Sequence, residues 1–596
     1  VVHVCPTDFP LRTSPVKGSG DTQTIDQFVD SFSPDAVTSE VYVVRNVLNK
    51  RVFDGELQYR VHWQGYKKSE ATWELEEYLL EYGAEELINE YENKVNKKYR
   101  RAGAVHNIQL SDTYLAVSQL LRKQKIKEAP ELWIQGYDDE LDGCIQPGPT
   151  QNLVELFGEE RENVVRSKTY TLMQMLLEPK KDGRRKGRLV VRGDMEPLSW
   201  VTGPTDSPVA SGEAVRTLLF SGEISGEPET IATCDARNAF RQTQPFGPDD
   251  PVRYVAYKAH KHAKLRVFRM LSSQYGCTDA SMRWYNTLVP YLVEQGFVRG
   301  ENDKCVFVHP ESKIRVAIHV DDYLVRGVRS RLDAFFQGLC EHLAHKPPVF
   351  IEDEGEVYFT GKRITETLDE KGQRWYHMDQ QRDIDGFLEE HGYVGVRHVA
   401  APMASKALIT SDSTVLDKGP ATRYRSMVGS LMYFATETQW HLAHAVTRLA
   451  QFNATPTVGA DKQLQQLMAW LTGNSHRKLS APVLGTTTWD VYSDSDHAGD
   501  RALGTRSHTG VVIMCNGAPV QWRSNKQPVT AVSSACAEIY AFAEAVRDAR
   551  LLKWKAEEMN CTVPSPLEIQ VDNSSVVVFQ SNMNPQSKLK GMIDLR

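Results

Sequence analysis

Three aspartates in the middle of the chain have the types and positions expected of a metal site. Asp321 and Asp322 are adjacent and lie between two apolar segments, 314–320 and 323–325, which predict a hairpin with both carboxylates at its tip. Asp235 ends a third apolar strand. Asp-Asp is a poor two-residue turn, and adjacent carboxylates repel unless a cation lies between them. The pattern predicts two Mg²⁺ ions on Asp235 and Asp321, about 3.5–4 Å apart, which suits phosphoryl transfer; a solvated turn is the alternative.

A second acidic group is spread over the last part of the chain. Asp494 ends a predicted strand, Glu538 lies at the start of a helix that Ser533 or Ser534 would cap, and Asp572 ends another alternating strand. Carboxylates at two strand ends and in the first turns of a helix can converge on metal ions for phosphodiester hydrolysis. We therefore predict a second metal site, again with two Mg²⁺ ions.

Aromatic residues near the start of the chain form a third pattern. Tyr42, Trp63 and Tyr66 are followed by Glu70, and rings that converge with a carboxylate can enclose a quaternary ammonium group. The alternative is that these rings form the core of a small domain, as we expect for Trp73.

Two basic stretches could contact polyanions. Residues 180–192 are rich in Lys and Arg, and residues 253–269 hold six such residues and no acid, which would suit a template or primer backbone. For most single lysines, a solvated surface is the simpler interpretation.

Composition limits the class of protein. The 596 residues are 41% hydrophobic and 25% charged, which is typical of globular domains and excludes a mostly disordered or collagen-like chain. The 70 basic and 77 acidic residues give a net charge of −7, so any polyanion site must be a local cluster. The nine scattered cysteines lack a C-x-x-C pair, which argues against a disulfide framework or structural zinc. We expect no membrane segment and, because the chain begins with Val, a piece of a longer product.

Periodicity and turn signals predict a multidomain α+β protein. We expect a tail at 1–38, a small module at 39–95 with strands at 41–48 and 58–63 and a helix at 84–95, and a connector at 96–165. Mixed α/β structure follows at 166–410, helices at 411–484, and strand–helix–strand structure at 485–596. In the helical part, Ala435, Leu442, Val446 and Leu449 are predicted to share one face.

The central part of the chain resembles the reverse transcriptase of copia-type retrotransposons. The resemblance rests on motifs that occur in order, R-L-V-V-R-G (188–193), S-P-V (207–209), T-C-D-A-R-N-A-F (233–240), Y-G-C-T-D-A-S-M-R-W-Y (275–285), H-V-D-D (319–322), Y-F-T-G-K-R-I (358–364), A-P-M (401–403) and Y-R-S-M-V-G-S-L-M-Y (424–433). It implies right-hand-like fingers and palm at 166–410 with a helical thumb or connection at 411–484. It also implies that Asp235, Asp321 and Asp322 are the catalytic, metal-binding residues.

The same resemblance implies a site for deoxynucleoside triphosphates. Lys186 or Arg188 would contact the triphosphate, and Phe240 would exclude a 2′-hydroxyl group. Asp279 stands where the family has a glutamine that contacts the nucleotide, and an acid there would repel a triphosphate unless it pairs with an arginine such as Arg283. His319 and Ser281 also replace the Tyr and Pro that are usual in the family.

Two further resemblances flank the polymerase. The motifs Y-S-D-S-D-H-A-G-D (492–500), S-S-A-C-A-E-I-Y (533–540) and V-D-N-S-S (571–575) are similar to the RNase H domain that follows copia-type polymerases, and imply Asp494, Glu538 and Asp572 as its acids. Residues 591–596 correspond to a segment before the fourth acid, so we expect an incomplete fold with an open sheet edge and poor nuclease activity.

The motifs V-Y-V-V (41–44), Y-R-V-H-W-Q-G-Y (59–66) and E-A-T-W-E (70–74) resemble a chromodomain, and imply a methyl-lysine cage of Tyr42, Trp63, Tyr66 and Glu70.

Together these features predict an RNA-directed DNA polymerase with an RNase H-like domain. Its partners would be an RNA template, a DNA primer, deoxynucleoside triphosphates and a methylated histone tail, with no membrane. The chromodomain implies a nuclear, chromatin-bound location, with a possible cytoplasmic particle stage. The alternatives are a decayed remnant that acts only as a methyl-lysine-binding module, and a fragment with neither activity.

Overall fold

The computed structural model describes residues 3–4, 42–53, 56–81, 84, 87–88, 91, 109–148, 150–180, 183–260, 263–403, 409–410, 412–499, 504–573 and 576. Several expectations lie outside these residues. They concern most of the tail at 1–38, most of the helix at 84–95, and residues 591–596.

The described strands are, in chain order, β1 (His3–Val4), β2 (Tyr42–Phe53), β3 (Glu56–Trp63), β4 (Thr72–Leu75), β5 (Leu153–Glu155), β6 (Thr171–Pro179), β7 (Arg185–Val191), β8 (Thr230–Asp235), β9 (Tyr254–Tyr257), β10 (Arg266–Met270), β11 (Val298–Arg299), β12 (Val306–Val308), β13 (Arg315–His319), β14 (Asp322–Gly327), β15 (Val349–Phe350), β16 (Glu356–Phe359), β17 (Lys362–Leu368), β18 (Arg374–Asp379), β19 (Leu479–Pro482), β20 (Trp489–Ser495), β21 (His508–Cys515), β22 (Ala518–Lys526) and β23 (Ile569–Val571). The described α-helices are α1 (Glu76–Glu81), α2 (Gln109–Gln124), α3 (Ile134–Ile145), α4 (Gly158–Ser167), α5 (Gly212–Phe220), α6 (Ala280–Glu294), α7 (Arg329–His342), α8 (Ile351–Glu354), α9 (Gln381–Glu390), α10 (Lys418–Glu437), α11 (Ala443–Ala450), α12 (Val458–Leu471) and α13 (Ser534–Glu558).

The chain divides into two compact units, Val1–Thr205 with Phe240–Arg283, and Asp206–Ala239 with Trp284–Arg596. In the first unit the described strands form a small sheet of order β1-β2-β3-β4 and a second sheet of order β5-β10-β9-β6-β7. The predicted α+β class and the small N-terminal sheet are confirmed. Strand β2 is longer than predicted, and residues 3–4 of the expected tail pair with its first residues.

The second unit contains three sheets among the described strands. Their orders are β11-β12-β13-β14-β8-β15, β16-β17-β18-β19 and β22-β21-β20-β23. The predicted boundaries at residues 410 and 484 fall inside this unit, whereas the predicted segment 166–410 is divided between the two units. Compact packing in the second unit therefore extends across two of the boundaries that periodicity suggested.

The strands that carry the central aspartates form because their residues are mostly apolar. Every residue of β8 before Asp235 is buried, and β13 and β14 are buried except at the ends that meet the turn. At the other end, Arg315 and Arg326 lie opposite each other in register, and both guanidinium groups contact the fully buried carboxylate of Glu229, at 2.5 and 2.9 Å. Like charges opposite each other in a sheet are destabilising, so Glu229 offsets their repulsion and fixes the base of the hairpin.

The helical part packs as the periodicity predicts. Ala435, Leu442, Val446 and Leu449 are buried together in one core formed by helices α10, α11 and α12. The side chain of Thr457 caps α12 by accepting a hydrogen bond from the backbone of Ala460. The amphipathic pattern alone was sufficient to predict this face.

One buried arginine joins three parts of the second unit. Arg216 of α5 donates to the Val520 carbonyl of β22 at 2.7 Å, and to the carbonyls of Thr436 and Glu437 at the end of α10, at 3.3 and 3.1 Å. Its guanidinium also stacks over the ring of Trp522 at 4.3 Å. A cation at a helix C-terminus meets unsatisfied carbonyls and the negative end of the helix dipole, so this contact ties the last domain to the central sheet. In the part of the chain that the structure describes, no helix is long and apolar enough to cross a bilayer.

Candidate functional site

The central aspartates lie where β13 turns into β14, but the turn differs from the prediction. Strand β13 ends at His319 and β14 begins at Asp322, so Val320 and Asp321 form the turn and Asp322 is already paired in the sheet. The sequence predicted Asp321-Asp322 as the tip, because it could not show that Asp322 continues the strand register. One carboxylate is therefore on the turn and the other is on the strand.

The turn holds a β-branched residue in an unfavourable conformation. Val320 has a φ of 58°, a left-handed value that costs such residues of order 1–3 kcal/mol. Two hydrogen bonds to carbonyl groups of the turn hold it there. The Trp284 indole donates to the Val320 carbonyl at 2.8 Å, and the Ala236 N–H donates to the Asp321 carbonyl at 2.8 Å. The second contact fixes the turn against the end of β8, beside Asp235.

Two of the three central carboxylates are neighbours by sheet register. Asp322 of β14 lies directly opposite Asp235 of β8, and directly opposed residues of an antiparallel pair project on the same face. Burial, followed by the charges of Asp321 and Asp235, raises the pKa of Asp322 from 3.8 to about 6. The Lys346 ammonium lies 2.8 Å from Asp235 Oδ1 and partly opposes this shift. We call Asp235, Asp321 and Asp322 the central triad.

The residues at the other predicted metal site converge more closely. Asp494, Glu538 and Asp572 place one ligand atom each within 4.8 Å of one another, and we call them the C-terminal triad. Among the residues that the structure describes, the central triad does not meet this criterion. Three carboxylates are suitable ligands for Mg²⁺ at either position, but only the C-terminal set is already gathered.

Parallel pairing explains the convergence. Strands β20 and β23 are parallel, with Ser493 opposite Val571, so the next residues, Asp494 within β20 and Asp572 just after β23, lie side by side at the same edge of the sheet. Glu538 reaches this edge from α13, which Ser533 caps by accepting a hydrogen bond from the Cys536 N–H. The sequence predicted this helix start with Ser533 or Ser534 as its cap, and the structure selects Ser533.

The electrostatics of Glu538 fit a bound cation. Its Oε1 accepts a hydrogen bond from the Ser495 N–H at 3.3 Å, whereas its buried Oε2 has no hydrogen-bond partner. Burial raises the pKa of Glu538, and the charges of Asp494 and Asp572 raise it further, against the lowering effect of Ser495. A buried carboxylate oxygen without a partner is costly, and a divalent ion would satisfy it. Asp496 follows β20 and accepts a hydrogen bond from the His508 N–H at 2.6 Å.

All four predicted nucleotide-binding residues lie in the first unit, and two of them pack around one ring. Arg188 lies over the Tyr275 ring at 5.2 Å, and Phe240 packs against the same ring edge-to-face at 5.2 Å. Lys186 is on the same strand as Arg188, and burial, then the Arg188 charge, lowers the pKa of Lys186. Cations of this kind are suited to a triphosphate.

Asp279 is paired with two arginines, which include the Arg283 that the sequence suggested. It accepts hydrogen bonds from Arg253 at 2.9 and 2.7 Å and from Arg283 at 2.7 Å. Burial raises the pKa of Asp279, but the bonds from Arg253 and Arg283 lower it more, so the carboxylate stays ionised. The prediction that residues 253–269 face a nucleic acid is wrong for Arg253, which is fully buried on this carboxylate.

The aromatic module gives its rings unequal environments. Trp63 is fully buried, and its indole donates to Thr72 Oγ1 at 2.8 Å, so it occupies the core as the alternative interpretation has it. Tyr66 is partly buried against the same core, and Glu70 accepts from the Lys67 N–H at 2.8 Å. The side chain of Tyr42 lies outside the described residues. The expected core residue Trp73 is only partly buried. An open cage at Trp63 is thus not the arrangement in this structure.

Sequence reasoning missed Lys346 and Arg216. Lys346 lies in the segment 344–349, which belongs to none of the motifs that identified the central aspartates. Arg216 lies in an amphipathic helix where a cation usually faces solvent. No local signal identified either residue, because their partners are distant in sequence.

Parts of the chain are similar in sequence to known proteins. Residues 42–94 match the Chromo (CHRromatin Organisation MOdifier) domain. The chain is 26% identical over 486 residues to the Retrovirus-related Pol polyprotein from transposon TNT 1-94 of Nicotiana tabacum, covering 75% of this chain and 35% of that protein. It is 21% identical over 473 residues to the Transposon Ty1-JR2 Gag-Pol polyprotein of Saccharomyces cerevisiae, covering 77% and 26%. It is also 36% identical over 126 residues to the Secreted RxLR effector protein 161 of Plasmopara viticola, covering 21% and 88%.

Two of these relatives are retrotransposon Pol polyproteins, and the chain is similar to them over most of its length. It spans about a third of the tobacco relative and a quarter of the yeast relative. The Chromo match lies near the start of the chain.

Proposed function

We propose that this chain is an RNA-directed DNA polymerase of a copia-type retrotransposon. It would extend a DNA primer on an RNA template by adding deoxynucleotides from their triphosphates. The observation that carries the proposal is the register of β14 on β8, which sets Asp322 opposite Asp235 and fixes the Asp321 turn beside them.

We assign the residues of the chain three roles in this reaction. Asp235, Asp321 and Asp322 would hold two Mg²⁺ ions, which supply charge stabilisation to the attacking and leaving oxygens. In the first unit, Lys186 and Arg188 would bind the triphosphate. Phe240 would close the space that a ribose 2′-hydroxyl group needs, which selects deoxynucleotides.

Primer extension on an RNA template with Mg²⁺ tests the proposal. We expect Asp321→Asn to lower the extension rate at least about 100-fold, because a neutral amide is a poor ligand for a hard cation. Asp385→Asn, at an exposed position of α9, makes the same chemical change away from the triad and should leave the rate within twofold. Equal, background-level extension by wild type and Asp321→Asn would overturn the polymerase proposal and favour a decayed remnant.

We also propose that the C-terminal triad binds the Mg²⁺ ions of an RNase H-like domain that cleaves RNA in an RNA–DNA hybrid. The convergence of its three acids supports this. Hybrid digestion by wild type and by Glu538→Gln measures this cleavage, and cleavage that survives Glu538→Gln would contradict the assignment.

The Chromo match supports a third proposal, that the module binds a methylated histone tail and places the protein on chromatin in the nucleus. Titration of trimethylated against unmodified histone peptides tests it. Since Trp63 is a core residue here, Tyr66→Ala is the informative variant, and it should weaken binding about tenfold. Equal affinity for both peptides would reject a cage. This module alone would remain functional if the protein were a catalytically decayed remnant.

A further inference from the structure

The segment that follows α7 is fixed along the end of β8. The Lys346 N–H donates to the Asp235 carbonyl and the Arg237 N–H donates to the Ala344 carbonyl, both at 2.9 Å. Strand β15 then pairs with Thr233 and Ala232 of β8. Backbone bonds on either side therefore hold residue 346 next to Asp235, whatever its side chain does.

The side chain of Lys346 uses this position to reach the central triad. Its ammonium lies 2.8 Å from Asp235 Oδ1, and the side chain is 51% exposed. A lysine has a flexible four-carbon stem. The ammonium can thus leave Asp235 for solvent without disturbing the backbone bonds that hold residue 346.

The two triads differ at this point. The C-terminal triad is gathered within 4.8 Å and leaves Glu538 Oε2 without a hydrogen-bond partner, whereas the central triad is not gathered and has Asp235 engaged by an internal cation. An ammonium and a divalent ion cannot both occupy the same side of Asp235 Oδ1 at close distance, since like charges repel.

We infer that Lys346 is an exchangeable counter-ion of the central triad. It holds the Asp235 carboxylate in the metal-free protein, and a divalent ion must displace it to bind. This inference rests on the proposed function of the triad as a metal site. Lys346 is a positioning residue: it acts through Asp235, and its removal should make divalent ions bind more tightly. A partly exposed ion pair contributes up to about 1 kcal/mol, which corresponds to about fivefold in affinity.

Titration of the full chain with Mn²⁺ tests this inference. The electron paramagnetic resonance signal of free Mn²⁺ measures how much of the metal is bound. The parent protein carries Asp494→Asn and Asp572→Asn, so that the C-terminal triad does not contribute. We expect Lys346→Met to lower the Mn²⁺ Kd about fivefold. Lys346→Arg keeps the charge and should stay within twofold of the parent. Lys371→Met, which removes a charge from an exposed turn, is the matched control and should have no effect.

Each outcome separates the inference from the proposed function. If Asp235→Asn and Asp321→Asn leave Mn²⁺ binding unchanged, or if the parent binds no Mn²⁺, the central triad is not a metal site and both proposals fail. If those variants abolish binding but Lys346→Met leaves the Kd unchanged, or weakens binding, the counter-ion role fails and the metal site stands. Circular dichroism of each variant verifies that the fold is intact.

Discussion

The central triad lies at the end of an antiparallel hairpin, whereas the C-terminal triad lies where two parallel strands end and a helix begins. Parallel strands deliver their C-terminal residues to the same edge, so Asp494 and Asp572 meet Glu538 without any special turn. The hairpin instead places Asp321 on a turn with a left-handed valine, and Asp235 lies on the partner strand β8, where Lys346 engages its carboxylate. Similar carboxylate ligands are thus already close together in the C-terminal triad, whereas in the central triad they are further apart and one of them, Asp235, is paired with Lys346.

This difference has a physical consequence for metal binding. In both triads burial, followed by the charges of neighbouring carboxylates, raises the pKa of one acid, Glu538 or Asp322, and a bound cation would relieve this cost. The central triad differs because the Lys346 ammonium already engages Asp235. We expect the C-terminal triad to bind divalent ions without an internal competitor, and the central triad to bind them by exchange.

The largest expected effect concerns the contact that joins the two regions. Arg216→Met removes a buried cation that satisfies carbonyls of α10 and β22, and should lower the free energy of unfolding by about 3 kcal/mol. Urea denaturation measures it, with the exposed Arg382→Met as control. If the two regions unfold together, the variant keeps a single unfolding transition. A decrease in the free energy of unfolding of less than about 1 kcal/mol would show that Arg216 does not hold the two regions together.

A pH-dependent effect isolates the central triad. In the metal-free protein the pKa of Asp322 is raised from 3.8 to about 6, so its ionised form destabilises the fold above pH 6, and this cost disappears as the pH falls towards 3.8. Asp322→Asn should therefore raise the free energy of unfolding by about 2 kcal/mol at pH 8 and change it little at pH 4. Thermal denaturation in EDTA measures the difference between the two pH values. A gain that is equal at both would contradict the electrostatic origin.

A somewhat smaller effect isolates the C-terminal triad. Mn²⁺ at ten times its Kd should stabilise the protein by about 1.4 kcal/mol through this site. Glu538→Gln should remove most of that gain, because it takes away the buried carboxylate oxygen that has no other partner. Calorimetric unfolding with and without Mn²⁺ measures it in a parent that carries Asp235→Asn. Full stabilisation of Glu538→Gln would place the ion elsewhere.

The smallest expected effect concerns the strained turn. Val320→Gly relieves the left-handed conformation but increases the entropy of the unfolded chain, so we expect a net gain below about 1 kcal/mol. Chemical denaturation of the variant measures it. Destabilisation by more than about 1 kcal/mol would mean that the valine side chain contributes packing that exceeds the cost of its backbone.

The sequence predicted more of the C-terminal site than of the central one. The predicted strand ends at Asp494 and Asp572 and the capped helix start before Glu538 are local signals, although β20 continues one residue beyond Asp494. Parallel pairing then brings the acids together. At the central site the strands were predicted, but the turn was misplaced by one residue because strand register is set by partner strands. Trp63 could not be assigned to core or cage from the sequence, since burial depends on what packs against the ring.

The sequence by itself determined the residue types, the strands and helices that carry them and the resemblance to retrotransposon proteins, because hydrophobic period and motif order are properties of the chain. Only the tertiary structure decided which acids converge, which are neutralised by an arginine or lysine, and which predicted boundaries separate compact units. Asp279 with Arg253, Asp235 with Lys346, and Arg216 with the end of α10 join residues that are distant in the chain. Such contacts depend on how the sheets and helices pack, and no local pattern encodes them.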